Sequence, residues 1–203
     1  MRLYRNVRKL RVPVSRFLAV PLGLLFLLSR SAWDGTHPIT VLLFSIGLIL
    51  VGVGSLGRLW CTLYIAGRKR KSLVTVGPYS VSRNPLYFFS LIGAIGIGFG
   101  TETLLWPLSV LLLFSIYYPF VISAEEARLL ALHGEAFKNY CEKTPRFFPN
   151  LSLLKEPEIY QVSPIVFKKE LFSALCFIWL LGLFEVIEAV HEMHLLPILL
   201  HIY

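Results

Sequence analysis

The sequence predicts an all-α membrane protein, a polytopic helical bundle of about five transmembrane helices with a cytoplasmic amphipathic helix. Of the 203 residues, 56% are hydrophobic and only 16% are charged, a composition that soluble domains of this length rarely have. Several uncharged runs also approach or exceed the roughly 20 residues that a helix needs to cross a bilayer. The basic residues are concentrated in alternate loops, as in multi-pass membrane proteins.

The predicted spans follow one another in the order of the apolar runs. They are a short run at 17–29, the uncharged segments 39–57, 84–101 and 103–124, and an apolar stretch at 171–184. Asp34, Gly35 and the pair His37-Pro38 indicate the turn between the first two spans. Only Gly100 to Thr103 separates the third span from the fourth, which predicts a tight helical hairpin.

The net charge of +8 is best explained by topology. Arginine and lysine cluster before the first span and between the second and third, whereas the loops after the first and third spans carry little net charge. This pattern predicts a cytoplasmic N-terminus, with the basic segments against anionic lipid headgroups. Nucleic-acid binding is not expected, because the aromatic residues lie in the spans and not among the basic residues. A bacterial or archaeal inner membrane fits the short loops, and an endoplasmic reticulum membrane would obey the same charge rule.

The second half of the chain changes character after the fourth span. Residues 123–146 mix charged and apolar side chains at helical spacing, which predicts an amphipathic helix along the cytoplasmic face. Residues 149–168 contain three prolines and are interpreted as a linker, and 170–203 as a last helical region. The expected units are 1–69 (basic arm and first hairpin), 70–149 (core) and 150–203 (linker and C-terminal helix).

Two glycine patterns are interpreted as packing faces. Residues 52–57 match GxGxxG, but a dinucleotide site requires a strand before the motif, and this one lies inside an apolar helical run. Small residues in a span allow neighbouring helices to approach closely. Gly93, Gly96 and Gly100 are expected to form a similar face in the third span.

Residues 77–87 lead from the cytoplasmic connection into the third span. The Gly-Pro pair that opens this segment predicts a turn, and Pro85 stands where a helix can begin. Arg83 is therefore expected at the membrane surface. It is either a basic anchor at the helix end or a ligand for a carboxylate, which guanidinium groups bind in bidentate fashion. In the second case Tyr79 or Tyr87 would pack on the bound molecule.

Adjacent carboxylates, Glu125 and Glu126, lie at the end of the fourth span. They are either the solvated start of the surface helix, where acidic residues favour a helix N-terminus, or part of a site that needs a cationic partner. Because the third and fourth spans form a hairpin, Arg83 and the glutamate pair are expected at the same membrane face.

A series of short motifs runs from residue 70 to residue 149. In order they are Leu73-Val74-Thr75-Val76-Gly77-Pro78-Tyr79, Arg83-Asn84-Pro85-Leu86-Tyr87, Glu125-Glu126, Leu132 to Tyr140 and Thr144 to Pro149. In this order and spacing they resemble the isoprenylcysteine carboxyl methyltransferase and phospholipid methyltransferase family. Members carry Leu-Val-x-x-Gly-Pro-Tyr, Arg-His-Pro-x-Tyr, Glu-Glu, a Phe-Gly-x-x-Tyr-x-x-Tyr-like stretch and a Pro-Arg-x-x-Pro-like close.

The resemblance implies a methyltransferase that uses S-adenosylmethionine at the cytoplasmic membrane boundary. It implies catalytic roles for Arg83, Glu125 and Glu126, and substrate contacts for Tyr140 and Arg146. The residues implied for the cofactor are Leu73, Val74, Gly77, Pro78, Tyr79, Asn84, Pro85, Tyr87 and Glu126. Methyl transfer from a sulfonium needs positioning more than covalent help from the protein.

The chain departs from the family pattern at three places. The family histidine is Asn84, which can form hydrogen bonds but cannot titrate near neutral pH. Residues 117–124 contain no arginine, unlike some members, and the chain continues past the usual end of the motifs at Pro149.

The predicted acceptor is a lipophilic, membrane-associated molecule with a carboxylate like that of isoprenylcysteine. An amine headgroup of a phospholipid or a small molecule is the alternative. A non-catalytic membrane scaffold is a further alternative, favoured by Asn84. No metal is expected. Glu188, His191 and His194 share one helix face, but no second cluster accompanies them, so they are interpreted as a polar helix end.

Overall fold

The computed structural model describes residues 29–33, 37–67, 72–193 and 200–202. Apart from Ser29, the first predicted span at 17–29 lies outside these residues, as does the basic arm before it. The prediction of this first span therefore falls outside the described residues.

Helices dominate the described chain, which confirms the prediction of a helical membrane bundle. They are α1 (Pro38–Ile65), α2 (Pro78–Val81), α3 (Pro85–Gly100), α4 (Leu105–His133), α5 (Glu135–Lys143) and α6 (Pro164–Glu192), with a 3-10 turn at Leu151–Leu153. Helices α1, α4 and α6 are long and apolar enough to cross a membrane. Helix α3 has 16 residues, which corresponds to a rise of about 24 Å, so it is shorter than the hydrocarbon core of about 30 Å.

Proline marks the first turn of four helices, at Pro38, Pro78, Pro85 and Pro164. Its missing N–H falls where an α-helix leaves the group unpaired in any case. Pro164 is the residue at which α6 begins, so the predicted linker over 149–168 ends earlier than expected, at 163.

The predicted amphipathic helix over 123–146 is divided in two. Helix α4 continues from the span without a break to His133, and α5 begins only after Gly134, which has a φ of +52°. A glycine tolerates this left-handed backbone, which ends one helix and redirects the chain into the next. The surface helix is therefore the nine-residue α5, which buries Phe137 and Tyr140 and exposes an ion pair between Glu135 and Lys138.

The small-residue faces allow close helix packing, as predicted, and the structure shows that they pack α1 against α3. A Cβ placed on Gly54 would lie 2.5 Å from Gly93 Cα, and one on Gly47 would lie 2.6 Å from Gly100 N. The two backbones are therefore in direct contact, which larger side chains would prevent. Gly52 takes no part in this contact, since nothing lies within 4 Å of its Cβ position.

Helix α6 packs against α1 and α3, and α4 packs against α3. Arg58 joins three helices, because its guanidinium donates hydrogen bonds to Ser90 Oγ of α3 and, at 2.9 Å, to Ser173 Oγ of α6. Phe177 of α6 lies under the same guanidinium, 5.3 Å from ring centroid to Cζ. An exposed row at every fourth residue of α4 is apolar, as expected of a lipid-facing surface, and consists of Leu108, Leu112, Ile116 and Phe120.

A short parallel strand pair, which the sequence did not predict, closes one end of the bundle. Strand β1 (Ser29–Ser31) pairs with β2 (Leu200–Ile202). Ser31 Oγ donates to the carbonyl of Glu102 in the turn between α3 and α4, at 3.1 Å. Arg83 lies before the first residue of α3, at the opposite end of that helix.

Candidate functional site

A cluster of four polar side chains lies where α3 begins, beside the second half of α4. This polar cluster consists of Arg83, Asn84, Glu126 and Arg146. Glu126 is its centre, with one carboxylate oxygen 3.4 Å from Arg83 Nε and the other 3.0 Å from Arg146 Nε. The side chains of Arg83 and Glu126 are only 15% and 17% exposed, whereas that of Arg146 is 48% exposed.

Asn84 connects the two sides of the cluster. Its side-chain Nδ2 donates to Glu126 Oε1 at 3.4 Å and to the carbonyl of Arg146 at 2.9 Å, and the residue is buried. This is the position at which the family motif has histidine. The amide supplies hydrogen-bond donors there, although it cannot take up a proton near neutral pH.

The helical hairpin brings Arg83 to Glu126, and the two neighbouring glutamates have different partners. Arg128 lies 3.5 Å from Glu125, one helical turn along α4, and both side chains are about a third exposed. Consecutive residues of a helix point about 100° apart. The geometry therefore places Glu126 in the polar cluster and Glu125 in a separate pair on the surface.

The segment before α3 is held by a stretch of chain that runs beside it. This stretch, residues 145–155, is called the return segment here. Arg83 N donates to the carbonyl of Pro145 at 2.8 Å, Asn150 N donates to that of Val81 at 2.9 Å, and Gly77 N donates to that of Lys155 at 2.7 Å. Along residues 77–83 the bonded partners run from Lys155 back to Pro145, so the two segments are antiparallel.

Side chains add further links between these segments. Ser82 is fully buried, and its Oγ donates to the carbonyl of Phe147 at 2.9 Å. Lys155 N donates to Ser80 Oγ at 2.9 Å. The return segment thus fixes residues 77–84 along their length, and it also carries Arg146 into the polar cluster.

Tyr140 of α5 holds the same segment from the other side. Its hydroxyl donates to the carbonyl of Tyr79 at 2.6 Å and lies 3.4 Å from that of Ser82. Burial raises the pKa of Tyr140 above its usual value, so the hydroxyl remains a donor at neutral pH. Burial also raises the pKa of Tyr79. The hydroxyl of Tyr140, for which the sequence predicted a substrate contact, is engaged with the backbone of the motif.

The remaining predicted cofactor residues lie near the polar cluster in the chain and differ in how far they are buried. Pro78 and Pro85 are buried at the starts of α2 and α3, and Leu73 and Val74 lie partly exposed in the loop before Gly77. Tyr87 lies one turn beyond Arg83 and packs edge-on against Tyr118 of α4, with ring centroids 5.4 Å apart.

An aromatic cluster continues from Tyr87 towards the apolar part of the bundle. Tyr118 stacks on Phe114 at 3.7 Å, and Phe147, which follows Arg146, lies 5.9 Å from Phe114 and 5.7 Å from Phe88. The polar cluster therefore has the half-exposed Arg146 on one side and these aromatic side chains, called the aromatic wall below, on the other.

The charges of the polar cluster do not cancel. Two guanidinium groups face one carboxylate, and Arg83 Nε lies 3.4 Å from Glu126 without a hydrogen bond of good geometry. A largely buried cluster with one excess positive charge fits an anionic group such as a carboxylate. The amino-acid carboxylate of S-adenosylmethionine is a group of this kind, so the residues present fit the cofactor that the motifs imply.

Two contributors to the site were not predicted from the sequence. Ser123 Oγ accepts a hydrogen bond from Arg146 Nη2 at 2.7 Å, and Ser82 joins the return segment to the motif. Ser123 stands three residues before Glu126, so helical spacing could have indicated that it shares a face with that carboxylate. The contacts of Ser82 span 65 residues, and no local pattern signals them.

Comparison with known proteins gives a family match and two curated relatives. The Phospholipid methyltransferase family matches residues 36–136. The chain is 41% identical over 184 residues to the cobalt-zinc-cadmium resistance protein CzcN of Cupriavidus metallidurans, covering 91% of this chain and 81% of the relative. It is 37% identical over 180 residues to the nickel-cobalt-cadmium resistance protein NccN of Alcaligenes xylosoxydans xylosoxydans, covering 89% and 82%.

No solved structure matches the chain. The similarity to CzcN covers 91% of the chain, so it includes most of residues 150–203, which lie beyond the family motifs. The described residues contain no group of three or more His, Cys, Asp or Glu side chains that could hold a metal ion. The family match, the two relatives and the helical bundle together show that the chain belongs to the phospholipid methyltransferase family, within the group of membrane methyltransferases that includes the isoprenylcysteine carboxyl methyltransferases.

Proposed function

We propose that this protein is an S-adenosylmethionine-dependent methyltransferase that acts at the cytoplasmic face of a membrane on a lipophilic acceptor. The observation that carries the proposal is the polar cluster, in which Glu126 is held between Arg83 and Arg146 beside the segment 77–87. This cluster lies next to an aromatic wall in a bundle of apolar helices, a place that both a polar cofactor and a lipophilic acceptor can reach.

Arg83 is proposed to bind the carboxylate of the cofactor. Its guanidinium lies largely buried beside Glu126, and its backbone N–H is bonded to the return segment. The cofactor, when bound, supplies a methyl group on a sulfonium. Leu73, Val74, Gly77, Pro78, Tyr79, Pro85 and Tyr87 are proposed to shape its pocket.

Glu126 is proposed to keep both guanidinium groups in place and to set the local charge. Asn84 orients this carboxylate by donating to it. Because Arg83 and Glu126 are largely shielded from water, their electrostatic effects on a bound molecule are stronger than they would be on an open surface. Prearranged charges of this kind lower a barrier without having to reorganise during the reaction.

The charge of the cluster favours an anionic acceptor. Arg83, Glu126 and Arg146 together carry one net positive charge, and the cofactor, with two cationic groups and one carboxylate, would add one more. The loaded site should therefore attract a carboxylate or a thiolate and repel a protonated amine. A lipophilic carboxylate like that of isoprenylcysteine is therefore the proposed acceptor, and the amine headgroup of a phospholipid is the alternative that the charge disfavours.

A non-catalytic scaffold is the second candidate, because Asn84 replaces the family histidine. The amide of Asn84 donates to Glu126 and to the Arg146 carbonyl, so the cluster stays assembled without the histidine. Binding of S-adenosylmethionine separates the two candidates, because a scaffold has no need to bind it.

The names of the two relatives suggest the setting in which the reaction serves the cell. Both are named as resistance proteins towards divalent metals. We propose that this chain also contributes to metal resistance, through methylation of a membrane component. A deletion strain should regain growth on cadmium or cobalt with the wild-type gene but not with Arg83→Ala, and equal rescue by both would overturn this part of the proposal.

Binding and transfer assays test the proposed activity directly. In detergent, calorimetry should show binding of S-adenosylmethionine and S-adenosylhomocysteine, and labelled methyl groups should enter a prenylcysteine mimic faster than the amine headgroups of a lipid extract. Arg83→Ala should abolish transfer while the melting temperature stays near that of the wild type. Lys138→Ala, which removes an exposed cation on α5, is the matched control. No binding of either ligand by the wild type would favour the scaffold, and transfer by Arg83→Ala at the wild-type rate would remove Arg83 from the site.

A further inference from the structure

The glycine of the Gly-Pro-Tyr motif lies directly against a tyrosine ring from α1. Gly77 has a φ of +60°, and a Cβ at this position would lie 2.4 Å from Cζ of Tyr64. The ring of Tyr64 therefore packs directly against the backbone of Gly77. Because the two groups are in close contact, a movement of this ring would change the position of the Gly77 backbone.

Tyr64 is in turn held by Tyr160, a residue outside the region that matches the family. The two rings pack with centroids 4.6 Å apart, and the hydroxyl of Tyr160 donates to the carbonyl of Tyr64 at 2.7 Å. That carbonyl belongs to the last turn of α1, where helix carbonyls lack partners within the helix. Tyr160 thus satisfies the end of α1 and fixes the ring that supports Gly77.

The same part of the chain bonds to the motif through its backbone. Gly77 N donates to the carbonyl of Lys155, and Lys155 N donates to Ser80 Oγ. The start of α6 also approaches the end of α1, because a Cβ on Gly67 would lie 3.0 Å from Cβ of Ser163. Residues 155–163 therefore lie against both the motif and the end of the helix that carries Tyr64.

We propose that Tyr160 is a positioning residue for the cofactor segment, acting through the Tyr64 ring on the backbone of Gly77. The proposal rests on the proposed function, because it assigns residues 77–79 to cofactor binding. It extends the site to a residue beyond the family match, which ends at 136. Tyr160 itself is not assigned any contact with cofactor or acceptor.

A positioning role predicts a particular pattern of effects. Without the Tyr160 ring, the segment 77–79 leaves the binding-competent conformation part of the time, and the apparent affinity falls in proportion to the competent fraction. If that fraction falls to about a tenth, the Kd for S-adenosylhomocysteine and the KM for S-adenosylmethionine rise about tenfold. The kcat at saturating cofactor should change less than about twofold, because the bound enzyme has the same segment conformation.

The test compares Tyr160→Ala and Tyr160→Phe with the neighbouring control Ile159→Ala. Tyr160→Ala should give the full rise in Kd and KM. Tyr160→Phe keeps the ring and loses one hydrogen bond, so a rise of about threefold is expected. Ile159 is 87% exposed, so Ile159→Ala should match the wild type.

Hydrogen–deuterium exchange of the ligand-free protein gives a readout that does not depend on activity. The amides of Gly77, Ser80 and Ser82 donate hydrogen bonds within this region and should exchange faster in Tyr160→Ala than in Ile159→Ala. Unchanged exchange at these amides, or a loss of kcat with Kd and KM unchanged, would overturn the positioning role. If Tyr160→Ala does not fold, the same measurements on Tyr160→Phe decide the matter. Failure of the wild type to bind either ligand would instead count against the proposed function, and the exchange data would still show whether Tyr160 holds Gly77.

Discussion

The two neighbouring glutamates of α4 provide the sharpest test of the site, because the structure gives them different partners. Glu126→Gln and Glu125→Gln make the same chemical change at adjacent positions. Glu126 contacts Arg83 and Arg146, whereas Glu125 contacts Arg128 on the surface. Glu126→Gln would therefore raise the net charge of the polar cluster from one positive charge to two.

The magnitude of the effect follows from distance and burial. A charge pair about 3.4 Å apart attracts with roughly 5 kcal/mol at an effective dielectric constant of 20, before the cost of desolvation is subtracted. Allowing for that cost and for the partial exposure of Arg146, we expect about 2–3 kcal/mol from the loss of both pairs. Because these pairs hold the two guanidinium groups in place, the competent fraction of the site, and with it kcat/KM, should fall by about 30- to 150-fold. The pair of Glu125 with Arg128 is about a third exposed, so its loss should cost less than 1 kcal/mol, roughly fivefold or less.

The assay is transfer of labelled methyl groups to a prenylcysteine mimic, with kcat/KM measured for wild type, Glu126→Gln and Glu125→Gln. Melting temperatures measured in the same detergent show whether each variant is folded. Equal losses in the two variants, or a larger loss in Glu125→Gln, would refute the assignment of Glu126 as the centre of the site.

Two further predictions concern the backbone of the motif. Gly77→Ala should abolish binding of S-adenosylhomocysteine and lower the free energy of unfolding by more than 2 kcal/mol, on the order of the cost of overpacking plus a strained φ, because the new Cβ would meet the Tyr64 ring. Gly134→Ala has a similar backbone, with φ +52° and ψ −124°, but open space around its Cβ. Thermal denaturation should therefore show only the cost of the strained backbone, about 1–3 kcal/mol, and calorimetry should show binding unchanged. Tyr140→Phe removes the hydrogen bond to the Tyr79 carbonyl and should lower stability by about 0.5–1.5 kcal/mol, with a raised KM for S-adenosylmethionine. Since burial raises the folded-state pKa of Tyr140, its contribution to stability is complete below the usual tyrosine pKa of about 10 and is lost as the pH rises towards the folded value. Denaturation curves of the wild type and Tyr140→Phe should therefore converge at alkaline pH, and parallel curves would contradict the role given to this hydroxyl.

The sequence was sufficient for the features that depend on periodicity and length. Long uncharged runs predicted the apolar helices, and the short stretch between the third and fourth runs predicted the hairpin that brings Arg83 to Glu126. The glycine face of α1 against α3 was also predictable, because helix contacts in an apolar setting require small residues. The division of the surface helix at Gly134 was missed, since a single glycine can either continue a helix or end it.

The sequence by itself determined that this chain is a helical membrane protein of the methyltransferase type, with Arg83 and the glutamate pair at one end of a hairpin. Only the tertiary structure showed which glutamate lies beside Arg83 and Arg146, because one residue of helix rotation separates the largely buried Glu126 from Glu125 at the surface. It also showed the contacts that Arg146 makes with Glu126 and Tyr160 with Tyr64. Their partners lie 20 to 96 residues away, and contacts at that distance depend on the path of the return segment, which no local periodicity encodes.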